Sequence, residues 1–138
     1  MPAERGFLDT NILVYNQTDD DPAKALETEA LIVSGNVISV QVLNELANVL
    51  TRKMRWPWDA VHESLALTRA ILEVVPLTED IHETGLRLAQ RYSLSIYDAM
   101  IVAAALESGC DVLWSEDMQD GLVVESRLRI RNPFLQAE

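Results

Sequence analysis

The sequence predicts an α/β fold, a three-layer α/β/α sandwich around a mostly parallel central sheet of four to five strands. Three observations carry that prediction. Short apolar runs alternate along the whole chain with stretches of helical period, the order expected of strands joined by helical crossovers. Residues that start or stop helices (Pro22, Gly35, Ser39, Pro57, Thr78, Ser95, Gly109) stand at the joints between those runs. The length, 138 residues, suits one domain, and no repeat, low-complexity stretch or linker divides it, so residues 1–138 are expected to form a single unit.

Taken in order, residues 7–9 read as a short buried strand and 10–15 as a short helix. Asp19, Asp20 and Asp21 form a solvated loop leading to Pro22, a natural first helical residue. The helix from 22 to 33 ends near Gly35, and 37–40 is the second strand. A helix over 41–53 follows, with Ser39 as cap. Arg55 to Trp58 is a turn, and Pro57 starts a helix to about Leu72. Residues 74–77 are the third strand. Thr78 caps a helix to about Tyr92, with Glu79 and Asp80 placed to favour its dipole. Ser95 caps the helix 97–108, which stops at Gly109. Residues 112–115 are the fourth strand, and 128–130, between Arg127 and Arg131, a fifth at the edge.

Composition narrows the function. The apolar fraction, 49%, is that of an ordinary globular protein. One cysteine, Cys110, excludes an intrachain disulfide and reads as a buried thiol. Nothing resembles a signal peptide, and no apolar run approaches the roughly 20 residues that span a bilayer, so a cytoplasmic protein without membrane contact is expected. The formal charge of −11 argues against a large electrostatic footprint on DNA and suits a basic protein partner.

Four acids stand where a strand ends or a helix begins: Asp9, Glu45, Asp98 and Asp117. Asp9 closes the first strand, at the carboxyl edge where open parallel sheets bind ligands, yet Asp is also a good helix cap. Asn11 and Thr10 add polar groups able to orient a ligating carboxylate. Glu45 borders the apolar stripe Val42, Leu43, Leu46, Val49, Leu50, at about 100° from its centre; a glutamate with a snorkelling stem is the competing reading. Asp98 completes a capping-box pattern with Ser95, but the helix behind it is apolar nearly all round and therefore central. Asp117 lies in Ser115-Glu116-Asp117-Met118-Gln119-Asp120-Gly121, more acidic than a turn requires, with Ser115 able to hold a carboxylate and Glu116 or Asp120 able to assist. Carboxylates beside buried elements are costly unless paired, and the common partner of several converging ones is a hard cation such as Mg²⁺ or Mn²⁺.

Together the pattern resembles the PIN-domain nucleases: Asp9-Thr10-Asn11 after strand one, Glu45 on a helix a third of the way along, Asp98 opening a buried late helix, and Ser115-Glu116-Asp117 after the next strand. Within them the chain looks like the VapC-type toxins of type II toxin–antitoxin pairs. The resemblance implies a metal-dependent endoribonuclease and a homodimer. RNA is the implied substrate and a cognate antitoxin the partner. Asp9 and Asp98 would be main ligands of Mg²⁺ or Mn²⁺, completed by Glu45 and Asp117 and supported by Asn11, Ser115 and Asp120. No His or Lys adjoins these motifs as a base; His62 and His82 lie on amphipathic surfaces, which leaves metal-activated water as the nucleophile. Arg52, Lys53, Arg55, Arg127, Arg129 and Arg131 are the candidates for holding RNA, against helix-end and strand-edge roles, and Trp56 and Trp58 either stack on bases or pack on helices. A PIN-like binding module with little or no nuclease activity is the alternative reading. A receiver domain would need a late lysine, and both lysines, Lys24 and Lys53, come early.

Overall fold

A computed structural model describes residues 4–135. The chain runs β1 (Gly6–Leu8), α1 (Thr10–Gln17), α2 (Pro22–Val33), β2 (Val37–Ser39), α3 (Val40–Asn48), a π turn (Val49–Lys53), α4 (Trp58–Ile71), β3 (Glu73–Val75), α5 (Glu79–Tyr92), α6 (Ile96–Glu107), β4 (Val112–Trp114), β5 (Val123–Val124) and β6 (Leu128–Arg131). The sheet has six strands in the order β3-β2-β1-β4-β6-β5, parallel except for β5 against β6. Sequence extends leftward from β1 through β2 to β3, then returns to the other side of β1 as β4. The strand order therefore switches between β1 and β4, where open sheets leave a crevice at their carboxyl ends.

The expected α/β architecture is present, with four corrections. The sheet has six strands, not four to five, because a two-residue strand, β5, pairs with β6. The strand at 128–130 therefore lies inside that edge, and Leu128 and Ile130 are buried while Arg129 and Arg131 face solvent. The third strand ends at Val75, before Pro76, so it is shorter than the expected 74–77. The helix expected over 41–53 changes to a π turn at Val49, closed by Met54 N donating to Val49 O.

Caps follow the sequence closely. Asp21, Ser39, Thr78 and Ser95 each accept from a backbone N–H in the first turn of α2, α3, α5 and α6. These bonds satisfy donors that a helix start leaves free. Buried Phe7, Leu8, Ile38, Leu46, Ile101, Leu113 and Ile130 join the sheet to α3 and α6 in one core. Residues 99–106 of α6 are all buried, as its apolar circumference requires. Arg5 clamps the entry to β1: its guanidinium is bidentate to Glu73 at 3.1 and 2.9 Å and donates to Ser108 O at 2.8 Å.

Gly6 has a specific role. A Cβ there would stand 2.1 Å from Asn36 Oδ1 and 3.3 Å from Trp114 Nε1. Asn36 is buried and its amide holds Leu31 O and Ser34 Oγ. Gly6→Ala is expected to cost roughly 1–3 kcal/mol, the range for overpacking a core, and a urea midpoint measures it.

Candidate active site

The register of the sheet brings the first two site residues together. Leu8 pairs with Trp114, so Asp9 and Ser115 follow side by side at the crevice between β1 and β4. Asp9 is 4% exposed and Ser115 fully buried. Ser115 Oγ donates to Asp9 Oδ2 at 2.7 Å and accepts from Asp117 N and Met118 N, both at 3.2 Å. One hydroxyl thus fixes the carboxylate of β1 and the turn after β4.

Asp9, Thr10 and Asn11 form the junction of the site. Thr10 N donates to Asp9 Oδ1 at 2.7 Å, so Asp9 does cap α1. Thr10 Oγ1 donates to Glu45 Oε1 at 2.8 Å, and Gln41, one turn earlier on α3, donates to Glu45 Oε2 at 2.9 Å. Asn11 Nδ2 bridges two acids, at 3.2 Å from Asp9 Oδ2 and 3.1 Å from Asp117 Oδ2, while its Oδ1 accepts from Glu116 N at 3.2 Å. Glu45 therefore faces the site, and Asp117, exposed on its turn, is tied to Asp9 through Asn11.

Asp98 stands half-buried in the first turn of α6, its N–H donated to Ser95 Oγ at 3.2 Å. Burial raises its pKa; the contact with Ser95 opposes this, and the charges of Glu45 and Asp117 add to it. Asp9 behaves alike. Burial pushes its pKa from 3.8 to about 6, against the hydrogen bonds from Ser115 and Thr10 and with the charges of Asp98 and Glu45. The four acids thus feel one another, and the donors that hold them are neutral hydroxyls, amides and backbone N–H groups.

Among the described residues no three acidic, His or Cys side chains close into a coordination cage. The chemistry of the donor set nevertheless fits a hard divalent ion: every group is a carboxylate or amide oxygen, and the buried Asp9 carries a charge its neighbours destabilise.

The other sequence candidates go elsewhere. Asp120 Oδ1 accepts from Asn132 N at 2.7 Å, which fastens the segment after β6. Glu116 is paired with Lys24 and accepts from Tyr15 Oη. Burial pushes Glu116 up, but these two bonds outweigh it and hold its pKa low. Lys24 also lies over the rings of Tyr15 and Phe134, at 4.6 and 4.8 Å. Sequence reasoning missed this cluster because 92 positions separate its charges. Arg127 turns to Leu106 O, and it lines a small hollow with Arg129, Arg131, Glu4 and Asp111. His62 and His82 are exposed, and Cys110 is buried. Of the two tryptophans named as stacking candidates, Trp56 packs on the core while Trp58 is 64% exposed beside His62.

A doubly wound sheet with acids gathered at its switch point defines the class. The PIN-domain family model matches residues 6–119, and the chain belongs to that family. Solved structures of similar fold include a toxin–antitoxin complex from Klebsiella pneumoniae (TM-score 0.70, 20% identity, 94% of this chain and 98% of that one). Another is the Mycobacterium tuberculosis toxin VapC20, described as cleaving the sarcin–ricin loop (TM-score 0.61, 20% identity, 78% and 86%). A third is DNA-bound VapBC from Salmonella typhimurium (TM-score 0.65, 22% identity, 95% and 99%). No curated protein sequence matches.

Proposed function

We propose that this chain is a metal-dependent endoribonuclease and the toxin of a type II toxin–antitoxin pair. The observation that carries the reading is the linked set Asp9, Glu45, Asp98 and Asp117 around a buried carboxylate at the switch point. Its likeness in fold to toxin–antitoxin complexes and to a toxin that cleaves the sarcin–ricin loop supports it. Action in the cytoplasm is part of the same proposal; among the described residues no helix is long and apolar enough to cross a membrane.

Asp9 and Asp98 would hold Mg²⁺ or Mn²⁺, with Glu45 and Asp117 completing the site directly or through water. When bound, such an ion lowers the pKa of water and neutralises phosphate oxygens. The chain's own residues set the geometry for this. Ser115 and Thr10 keep Asp9 oriented, and both bonds favour its ionised form. Thr10 and Gln41 fix both oxygens of Glu45. Asn11 holds Asp117 toward Asp9 instead of leaving it free on its turn. Lys24 cancels the charge of Glu116, the acid nearest Asp117 in sequence, and so reduces repulsion of a phosphate there. The acidic site and overall charge of −11 suit an antitoxin that presents a basic side chain, and the protein would act as a homodimer.

The test is incubation of a mixed RNA pool with purified protein in Mg²⁺, in Mn²⁺ and in EDTA, beside Asp98→Asn. Cleavage that requires metal and disappears in the variant is the expected result. Equal background from both proteins under all conditions would favour the PIN-like binding module instead.

A second expectation concerns the ion alone. Mg²⁺ or Mn²⁺ at concentrations well above its dissociation constant raises the melting temperature of the wild type, as any ligand of the native state does. Because Asp9 and Asp98 are the main ligands, Asp98→Asn should lose most of that rise in a thermal-shift titration.

A further inference from the structure

A cleft of about 710 Å³ opens directly onto the acid site, with Thr10, Asn11, Glu45 and Asp117 in its wall. It continues away from Asp9 along α3 and the π turn. Beside its acids, which also include Asp20 and Glu116, the lining holds groups of another kind. Val14, Val49 and Met54 give it apolar surface, and Tyr97, 67% exposed, stands at its rim. Asn44 and Asn48 lie one helical turn apart on α3, so their amides share a face. Among the described residues these two amides, the Tyr97 hydroxyl and the Lys53 ammonium have no protein partner.

The π turn supplies this wall. Val49, Lys53 and Met54 all belong to it or close it, and all three line the cleft. A π turn is rare and disfavoured beside a continued α-helix, and its cost is most often tolerated where a binding surface needs it.

We infer that this cleft is a nucleobase subsite: it holds one unstacked base of a single-stranded RNA beside the scissile phosphate, stacked on Tyr97 and read by Asn44 and Asn48, with Lys53 on an adjoining phosphate. The inference rests on the nuclease reading above and specifies its substrate recognition. The chemistry matches the ligand. A base has an apolar face and an edge of alternating donors and acceptors, and an asparagine amide offers one of each. A phosphate placed at Asp9 and Asp98 must have its neighbouring nucleoside within a few ångströms, and this cleft shares Glu45 and Asp117 with that acid set. Lys24 neutralises Glu116 on the same wall, which spares the RNA backbone one repulsion.

The experiment uses an Asp9→Asn background, so that binding is read without cleavage. Fluorescence anisotropy compares U, C and A hexanucleotides with an abasic hexamer of the same backbone, all in Mg²⁺. Base-bearing hexamers are expected to bind at least tenfold tighter than the abasic one, with one base preferred. Tyr97→Ala should weaken all base-bearing hexamers roughly tenfold, as loss of a stacking platform does. The double variant Asn44→Ala, Asn48→Ala should erase the preference, so that the preferred hexamer binds no tighter than the others. Equal binding of abasic and base-bearing hexamers, or no binding of any, overturns the subsite and leaves the cleft to a protein segment. A preference that survives the double variant overturns the assigned reading residues. The nuclease reading is judged separately, by wild-type cleavage of the RNA pool, so cleavage without base preference would sink this inference alone.

Discussion

Asp9→Asn is expected to lower RNA cleavage on the order of 10³-fold or more, the scale seen when one member of a site that acts as a unit is removed. The same change should alter stability, and its sign follows from the proton affinity. Burial, with Asp98 and Glu45 nearby, lifts the folded-state pKa of Asp9 from 3.8 to about 6. A carboxyl that binds its proton more tightly when folded contributes stability that is fully present below its unfolded pKa. That contribution is lost as pH rises through the folded value. In metal-free buffer the wild type should therefore lose roughly 2 kcal/mol from this group between pH 4 and pH 7, with little further loss above. An asparagine carries no such titration. Urea unfolding in EDTA at pH 4, 5, 6 and 7 should show the difference between wild type and variant shrinking steadily with pH, then levelling. A constant difference across that range would mean that Asp9 is not held against its charge.

That destabilised charge is what a metal ion would relieve. A buried carboxylate held against its charge keeps stability low, as functional sites commonly do. The Asn side chain also meets a local conflict. Asp9 Oδ2 accepts from both Ser115 and Asn11, and an amide nitrogen in that place would face the Asn11 amide as donor to donor. The absolute stability of the variant mixes both effects, whereas the pH slope reports the charge alone.

Much of this arrangement was legible in the sequence because the signals are local. The boundaries of α2 coincide with the expected 22–33, since Pro22 and Asp21 fix its start within three residues. Ser39, Thr78 and Ser95 cap where their positions before apolar-periodic runs say they should. Asp9, Asp98 and Asp117 could be named because each follows a strand end or opens a helix, Glu45 because it borders the apolar stripe of α3, and parallel pairing of β1, β2 and β4 places those strand ends on one edge.

What was not legible depends on the third dimension. β5 has two residues, and its turn places Glu125 and Ser126 at positive φ without a glycine to announce it. Tertiary contacts hold that turn: Tyr92 Oη accepts from Glu125 N and donates to its carboxylate, each at 2.9 Å, and Arg91 pairs with the same carboxylate at 3.0 Å. The π turn has the composition of an ordinary helix end, so periodicity cannot separate the two. Asp120 shows the limit from the other side. Acidic company in a short segment suggested a share in the site, but its carboxylate faces the chain at Asn132.

Ser115 is where the local and the tertiary readings meet, and Ser115→Ala should have the second largest effect. The hydroxyl is fully buried and makes three bonds: one to Asp9, and one each from Asp117 N and Met118 N. Alanine leaves two backbone donors and a carboxylate oxygen short of a partner, with no room gained for water. A destabilisation of about 2–4 kcal/mol is expected from groups left unpaired in the interior. Cleavage should fall about 10–100-fold, as when a group that orients a metal ligand is lost. Reduced stability alone does not move a titration, and here the two can be separated. The Ser115 bond favours ionised Asp9, so its loss pushes that pKa further up. Where cleavage requires the ionised form, the acidic limb of the pH–rate profile should move to higher pH in Ser115→Ala. Ser115→Thr keeps the oxygen and should leave the limb in place, even if its extra methyl costs some stability in a filled site. An acidic limb at the same pH in the alanine variant would show that Ser115 supports the turn after β4 without tuning Asp9.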